Sequence, residues 1–561
     1  MLTLSALLCA PAYAQRVAGI VRDTALSVPL AGAVVSTLDS LRQPLGRAIT
    51  DASGRYSLEL SPAATQLRVV RIGFQPRIHA LAMGRTGTVV ADIWMTKVAT
   101  LLTTLLVNDE RICSSHDGRV AALSLWEQAR AGLLASVVAR EALPATARLL
   151  RYDRRVNVGN PLVLLQTASI TTGRTTRPYT TTAAPSVLAQ RGYSQEDAGG
   201  RRFDAPDADA LLDDSFAATH CFSVQQPDGD HAGAIGLAFE PAGGRDTLID
   251  VRGTLWLDAT VPALRSLEFR YVGGDKAWEA GGAAGSIHFH SMVNGVVFID
   301  EWKLRLPVLQ RSERRVSAGY LGGAPVTEAT TRVTQMGETG GYVLSATWPG
   351  QLHFQSALKP YAGRVKEEGT GRPLAGALVV LEATGDTLVA DSAGRFELFP
   401  LLPGRYVVRT ADTTFARYVA PRYSRGEVVI EPGRAVVAEF ALPVRADAVQ
   451  SLCGRAERSS TLSVLLGRIA DTIDTVRLPR DLRVEASWVK EGSIMLRETQ
   501  TVSLDDAGRF SLCGVPREKA ILLTTKRVGA VVADTTVHIH RDSAVMAMAW
   551  TLDVRTIMRE R

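Results

Sequence analysis

The sequence predicts a mainly β protein: three β-sandwich modules and an α+β middle domain with an antiparallel meander sheet. Three observations predict this. The pattern D-x-x-G-R-[YF]-x-L occurs at 51–58, 391–398 and 505–512. Five segments between 235 and 308 alternate apolar with polar residues, the period of half-buried strands. One long segment, from 114 to 141, instead carries apolar residues at helical spacing.

The repeated pattern reads as strand, tight turn, strand. Asp51, Asp391 and Asp505 accept backbone hydrogen bonds in the turn, and Gly54, Gly394 and Gly508 supply its positive φ. Tyr56, Phe396 and Phe510 then begin the inward positions of the second strand. In the first copy Tyr56, Leu58 and Leu60 face one side and Arg55, Ser57 and Glu59 the other. All nine residues therefore read as structural.

Residues 1–14 read as a signal peptide. An apolar stretch ends in Ala12-Tyr13-Ala14, a small-residue processing site that places cleavage before Gln15. The first sandwich is expected over 16–108, with a Val34–Val35 strand after PLAGA and a closing segment VVADIWMT at 89–96. The middle domain is expected over 109–355. Its helix is capped by Ser114, Ser115 or Asp117 and buries Val120, Leu123, Trp126, Leu133, Leu134, Val137 and Val138 on one stripe. Strands follow at 146–172, a mobile loop at 173–202, a short acidic helix at 204–216, and then the meander. The second sandwich is expected over 358–444, a polar linker over 445–461, and a divergent third sandwich over 462–554.

The pattern G-x-V-x-D, PLAGA-x-V and TD-x-x-G-x-Y-x-L resembles the carboxypeptidase regulatory-like domain, a prealbumin-like β-sandwich related to starch-binding-like folds. The first copy carries Gly19 to Asp23, Pro29 to Val35 and Thr50 to Leu58. The second carries Gly363 to Val365, Pro373 to Val380 and Asp391 to Leu398. In the third, Gly467 to Ile469 and the hairpin match, but LPRDLRVEA replaces PLAGA. The resemblance implies a fold and is nearly silent on activity. The middle strands are similar to the curved sheets of lipoprotein carriers, which would imply an apolar cleft between sheet and helix.

Past the signal, Cys113, Cys221, Cys453 and Cys513 remain, an even number that suggests disulfides in an exported chain. Three pairings are open; proximity within domains favours 113 with 221 and 453 with 513. By alternation from Phe510 and Leu512, Cys513 faces outward, where Cys453 would strap the linker across the third sandwich.

The formal charge is +6, with 63 basic residues spread among 57 acids and no basic run, which argues against nucleic acid. None of the nine histidines begins H-x-x-E, so the zinc-peptidase pair is missing, as are H-E-x-x-H, G-x-S-x-G and the phosphate loops. His288 with His290, and His538 with His540, read as exposed strand faces. Asp204, Asp207, Asp209, Asp213 and Asp214 read as a solvated acidic helix face. No catalytic, metal or cofactor site is assigned, and no segment reads as a transmembrane helix. The expected function is a non-enzymatic envelope or surface protein, periplasmic, outer-membrane-associated or secreted. Its sandwiches would dock on an envelope protein or polysaccharide. The alternatives are a carbohydrate-binding protein, which needs exposed aromatic platforms, and an enzyme with its site in 113–355.

Overall fold

The computed structural model of the chain describes residues 15–81, 87–98, 117–174, 178–179, 181, 183–197, 200–260, 263–273, 281–316, 326–349, 352–358, 360–398, 401–414, 416–418, 423–432, 437–442, 453, 462–471, 478–543 and 545–553. Residues 1–14, Cys113, Ser114, Ser115 and all of the linker but Cys453 lie outside the described residues. The chain forms two compact units: residues up to Ser356 except Leu162–Leu164, and those three with the remainder.

The first unit opens with β1 (Arg16–Asp23), β2 (Val34–Leu38), β3 (Pro44–Ile49), β4 (Arg55–Glu59), β5 (Gln66–Val70), β6 (Arg77–Ala80), β7 (Thr88–Val90) and β8 (Ile93–Met95). One sheet places β1 between β4, antiparallel, and the β7–β8 segment, parallel. The other runs β3-β2-β5-β6. Val17, Val21, Val35, Tyr56, Leu58, Leu67, Val69, Ile93 and Met95 fill the space between them.

The middle region begins with α1 (Asp117–Ala142), β9 (Thr146–Asn157) and β10 (Val163–Gly173). Next come α2 (Pro185–Arg191), β11 (Ser194–Asp197), β12 (Gly200–Phe203), α3 (Ala208–Leu212) and α4 (Asp214–Thr219). The meander is β13 (His220–Gln225), β14 (Ala234–Pro241), β15 (Asp250–Asp258), β16 (Leu264–Val272), β17 (Ala284–Ser291), β18 (Val297–Val316), β19 (Val326–Trp348) and β20 (Leu352–Gln355). Together with β9 and β10 they make one ten-stranded sheet in the order β10-β9-β19-β18-β17-β16-β15-β14-β13, with β20 also on β19.

Three expectations are corrected here. The segment 173–202 is not a featureless loop: Pro185 opens α2, and β11 pairs with β12. The acidic segment forms two short helices, not one, because Asp207 and Asp213 each cap a new start by accepting from Ala210 N and Ser215 N. The third concerns α1. Trp126, Leu133, Val137 and Val138 are buried, but Leu123 is 46% exposed, and Leu125, Ala129, Ala131 and Ala135 outside the expected stripe are buried. The helix packs against β13, β14, β16 and β18 on one side and β2 and β3 on another, so a single stripe is too narrow. Its small residues allow both approaches. With Phe216, Phe222 and Phe239 it fills the inner face of the sheet, where a carrier-like cleft would lie.

The second unit holds β21 (Tyr361–Glu367), β22 (Leu378–Leu381), β23 (Thr387–Val389), β24 (Arg395–Leu398), β25 (Gly404–Ala411), β26 (Ser424–Ile430) and β27 (Val437–Leu442). Its sheets run β24-β21-β27 and β23-β22-β25-β26. Then come β28 (Leu462–Asp471), β29 (Leu482–Val489), β30 (Arg497–Ser503), β31 (Arg509–Pro516), β32 (Ala520–Arg527), β33 (Ala530–His538) and β34 (Val545–Leu552), ordered β31-β28-β34 and β30-β29-β32-β33. In both, the first strand lies between its hairpin partner, antiparallel, and the last strand, parallel. This is the connectivity of β1 to β8. No helix among the described residues is long and apolar enough to cross a membrane.

Candidate functional site

The three hairpin turns have one geometry. Asp51 Oδ1 accepts from Ser53 N, Ser53 Oγ and Arg55 N at 2.9, 2.7 and 2.9 Å. Asp391 Oδ1 accepts from Ala393 N and Arg395 N, both at 2.8 Å. Asp505 Oδ1 accepts from Ala507 N and Arg509 N, both at 2.9 Å. Burial works against the charge of Asp51 and Asp505, but these bonds outweigh it and hold both carboxyls below their ordinary range. The Arg395 amide is the main cause of the same downward shift at Asp391.

Gly54, Gly394 and Gly508 have φ of +72°, +69° and +73°. Each carbonyl accepts from the first strand, from Val21 N, Val365 N and Ile469 N, at 2.8 Å in every case. A Cβ at any of them would run into the carbonyl oxygen of Val21, Val365 or Ile469. Tyr56, Phe396 and Phe510 are buried, and each pairs across the sheet with a glycine: Gly19, Gly363 and Gly467. At Gly363 and Gly467 the aromatic ring occupies the place of a side chain. The nine recurring residues are thus consumed by the fold.

Cys453 and Cys513 form a disulfide with Cα atoms 5.6 Å apart and a sequence separation of 60. Cys513 is half-buried between buried Leu512 and Val515. Cys221 is buried on β13, and its expected pairing with Cys113 falls outside the described residues.

Polar side chains converge at three places on the middle sheet. The first is buried. His220 Nε2 lies 3.2 Å from Asp250 Oδ1, Arg245 Nε donates to Asp250 Oδ2 at 2.5 Å, and His220 Nδ1 faces Phe216 O at 3.1 Å. Burial raises the Asp250 carboxyl, but His220 and Arg245 together bring it below its ordinary value. The group ties α4 to β13 and β15, and Phe216 stacks on the His220 ring with centroids 4.1 Å apart.

The second lies on the solvent face. His231, in the turn between β13 and β14, stacks on Trp256 with ring centroids 4.0 Å apart and planes 10° apart. Its Nδ1 meets Asp228 Oδ1 at 2.5 Å and its Nε2 meets Glu268 Oε1 at 3.0 Å. Partial burial lowers the imidazole pKa, but Glu268 and Asp228 outweigh it and raise it above the ordinary histidine value. Beside this clamp is a cleft of about 450 Å³ lined by Gln225, Glu240, Arg252, Thr254, Glu268 and Arg270 among others. Thr254 donates to Gln225 at 2.7 Å, and Arg252 pairs with Glu240 at 3.7 Å.

The third is the pair expected on an exposed face. His288 is 2.6 Å and His290 3.8 Å from the same Asp300 carboxylate, brought together by a bulge in the β17–β18 register. The Asp300 bond raises His288, whereas burial lowers His290. Among the described residues no group of three or more His, Cys, Asp or Glu side chains is arranged to hold a metal. His538 and His540 are exposed.

The acidic cluster is not the uniformly solvated face expected of it. Asp204 and Asp207 are buried, Asp207 as a helix cap and Asp204 3.5 Å from Arg202, while Asp214 is exposed. Sequence reasoning missed the His220–Asp250–Arg245 group and the His231 clamp, whose members come from separate strands and turns. The exposed large aromatics among the described residues, Trp94 and Tyr423, lie in different modules and form no row.

The carboxypeptidase regulatory-like domain family matches residues 16–96 and 362–443. No curated protein matches the chain. Among solved structures, the Bacillus anthracis TIE protein aligns at 12% identity and TM-score 0.16 over 64% of this chain, which spans 63% of the length of that one. A DUF3823 family protein from Bacteroides uniformis aligns at 10% identity and TM-score 0.13, over 32% of this chain and 99% of that one. BcpA, the major pilin subunit of Bacillus cereus, aligns at 8% identity and TM-score 0.13, over 96% and 99%. All three scores lie far below those of chains that share a whole fold. The chain is mainly β and carries carboxypeptidase regulatory-like domains at 16–96 and 362–443.

Proposed function

We propose that the protein is an exported envelope or surface protein in which sandwich modules act as docking and spacing units, with 462–554 a divergent third copy. The observation that carries this reading is the internal use of the recurring residues. Each Asp caps its own turn, each Gly permits it, and each aromatic is buried opposite a glycine of the first strand, so what the chain repeats is a scaffold. The Cys453–Cys513 bond supports an oxidising compartment. Docking is on an envelope protein or polysaccharide through surfaces that differ between copies, without catalysis by the sandwiches. The test is to express the chain with and without 1–14, fractionate the cells, and map thiols without reductant. Export dependent on 1–14, with Cys453 and Cys513 protected, is expected. Retention of the full chain in the cytoplasm with both thiols alkylated removes the reading.

A second reading rests on the cleft beside His231. Its amide, hydroxyl, carboxylate and guanidinium groups are the donors and acceptors a polyhydroxylated ligand would use. Glycan-array binding lost on Thr254→Ala and Arg270→Ala, with an unchanged melting temperature, would favour it over pure docking. An array with no bound glycan would remove it.

A further inference from the structure

The sheet β3-β2-β5-β6 of the first sandwich turns one face to its own core and the other to α1. Alternation on β2 puts Val35 in the sandwich core and Val34, Ser36 and Leu38 on the α1 side. Register then fixes the neighbours: Ser36 stands opposite Arg47 on β3 and opposite Arg68 on β5. One row across three strands therefore reads Arg47, Ser36, Arg68, with Cβ atoms of adjacent strands about 5 Å apart. The row beside it, Ile49, Val34 and Val70, is apolar and packs into the core that α1 shares. Between this sheet, α1 and the α3–α4 turn opens a cleft of about 510 Å³. Leu38, Val70, Leu134 and Val137 line it with aliphatic surface. Ser36 is only 6% exposed, yet it lines the cleft, and its hydroxyl has no partner among the described residues. Hydroxyls this far from bulk water are ordinarily hydrogen-bonded, so a ligand in the cleft is its natural partner.

Four cations (Arg42, Arg47, Arg68, Arg130) and four acids (Glu127, Asp209, Asp213, Asp214) line the cleft, so net charge does not select the ligand; local pairing does. Arg130 holds Asp214 at 3.3 Å, and Arg140 holds Asp209 at 3.5 Å. Asp213 caps α4 by accepting from Ser215 N and Oγ. Glu127 reaches Arg68 at 3.4 Å, with both side chains nearly half exposed. Arg42 and Arg47 form no ion pair among the described residues. Leu41 N and Gln43 N both donate to Asp39 Oδ1, at 2.9 and 2.7 Å, which fixes the turn that carries Arg42. Every acid thus has its partner on the chain, whereas two guanidinium groups and one hydroxyl do not, and all three can donate.

We propose that this cleft binds a carboxylate carried on an aliphatic body. The carboxylate oxygens accept from Arg47, Arg42 and the Ser36 hydroxyl, and the aliphatic part lies on Leu38, Val70, Leu134 and Val137. Glu127 marks the chemistry. The chain's own carboxylate already reaches the row through Arg68, in an exposed pair weak enough for a ligand to displace. The acids in the lining disfavour a doubly charged group such as phosphate, because each adds like-charge repulsion. The inference concerns a different surface from the cleft beside His231 and does not depend on export.

The test is isothermal titration of the full chain with octanoate, set against octanol and acetate. Octanoate is expected to bind at one site, and octanol and acetate about tenfold more weakly or worse, because each lacks one half of the recognition. Arg47→Gln should weaken octanoate about tenfold and keep the melting temperature, since the Arg47 side chain is exposed. Glu127→Gln removes the competing carboxylate and should strengthen octanoate several-fold, a gain that a purely structural role for the row would not give. Acetyl-dileucine with a free C-terminal carboxylate, compared with its amide, separates the two sources of this chemistry. Binding of the acid form as tight as octanoate assigns the site to peptide ends, and octanoate alone assigns it to free aliphatic acids. The proposal is overturned if neither octanoate nor acetyl-dileucine gives saturable heat, if octanol binds as tightly as octanoate, or if either variant binds like wild type.

Discussion

Replacing both cysteines, Cys453→Ser with Cys513→Ser, removes a strap that joins the segment before β28 to the strand β31. The bond closes a loop of 60 positions. Chain-entropy bookkeeping assigns the closure about 14 cal/mol/K, or about 4 kcal/mol at room temperature. Both partners are fixed in regular or packed surroundings, since Cys453 lies against the buried pair Val464 and Leu466. The loss should therefore fall on the third sandwich as a whole. Amide exchange on the full chain reads it, because the slowest amides report opening of the module that holds them. Buried positions such as Leu482, Val484, Ile521 and Leu523 are the reporters. About 4 kcal/mol corresponds to roughly a thousandfold faster exchange there, with little change at Val17 or Tyr406 in the other modules. Acceleration below about tenfold, or equal acceleration in all three modules, would refute the reasoning: the bond would then act locally, or the modules would open together.

Phe396→Ala leaves a cavity over Gly363 and should cost the second sandwich about 3–5 kcal/mol, read by exchange at Tyr406 and Val408; a cost under about 1 kcal/mol would place Phe396 outside the core. Asp505 has a folded pKa below its unfolded one, so its contribution is present above the ordinary carboxylate range and lost as pH falls through the lowered folded value. Acidification below about pH 4 should lower the melting temperature, and Asp505→Asn should flatten that dependence; an unchanged acid limb rejects this. His231 has the opposite sign. Its folded pKa is raised, so its contribution is present below the ordinary histidine value and lost as pH rises through the raised one. Its ring resonances should titrate with a midpoint above about 6.5, and Glu268→Gln should bring the midpoint down; a wild-type midpoint below that value contradicts the clamp.

What depends on neighbours within a few positions could be read from the residues alone. Asp505 to Leu512 contains its own turn donors, its own positive-φ residue and its own alternation, so the hairpin is legible wherever it occurs. The five meander strands were legible for the same reason: one face is buried and one is wet, and a period of two records it. For Cys513 the sequence left three pairings open and module order favoured Cys453, the partner it has in the structure. Where long-range neighbours meet is fixed by packing in three dimensions. Alternation cannot show that α1 is covered on two sides, because Ala129, Ala131 and Ala135 carry no apolar stripe and become core through what packs on them. Asp204 and Asp207 read as solvated because acids usually are; they are buried where caps and Arg202 satisfy them. The His231 clamp unites Asp228, Trp256 and Glu268 from a turn and two strands, and nothing in a one-dimensional pattern brings β16 under that turn. Sheet register does, because pairing across the sheet fixes which side chains meet.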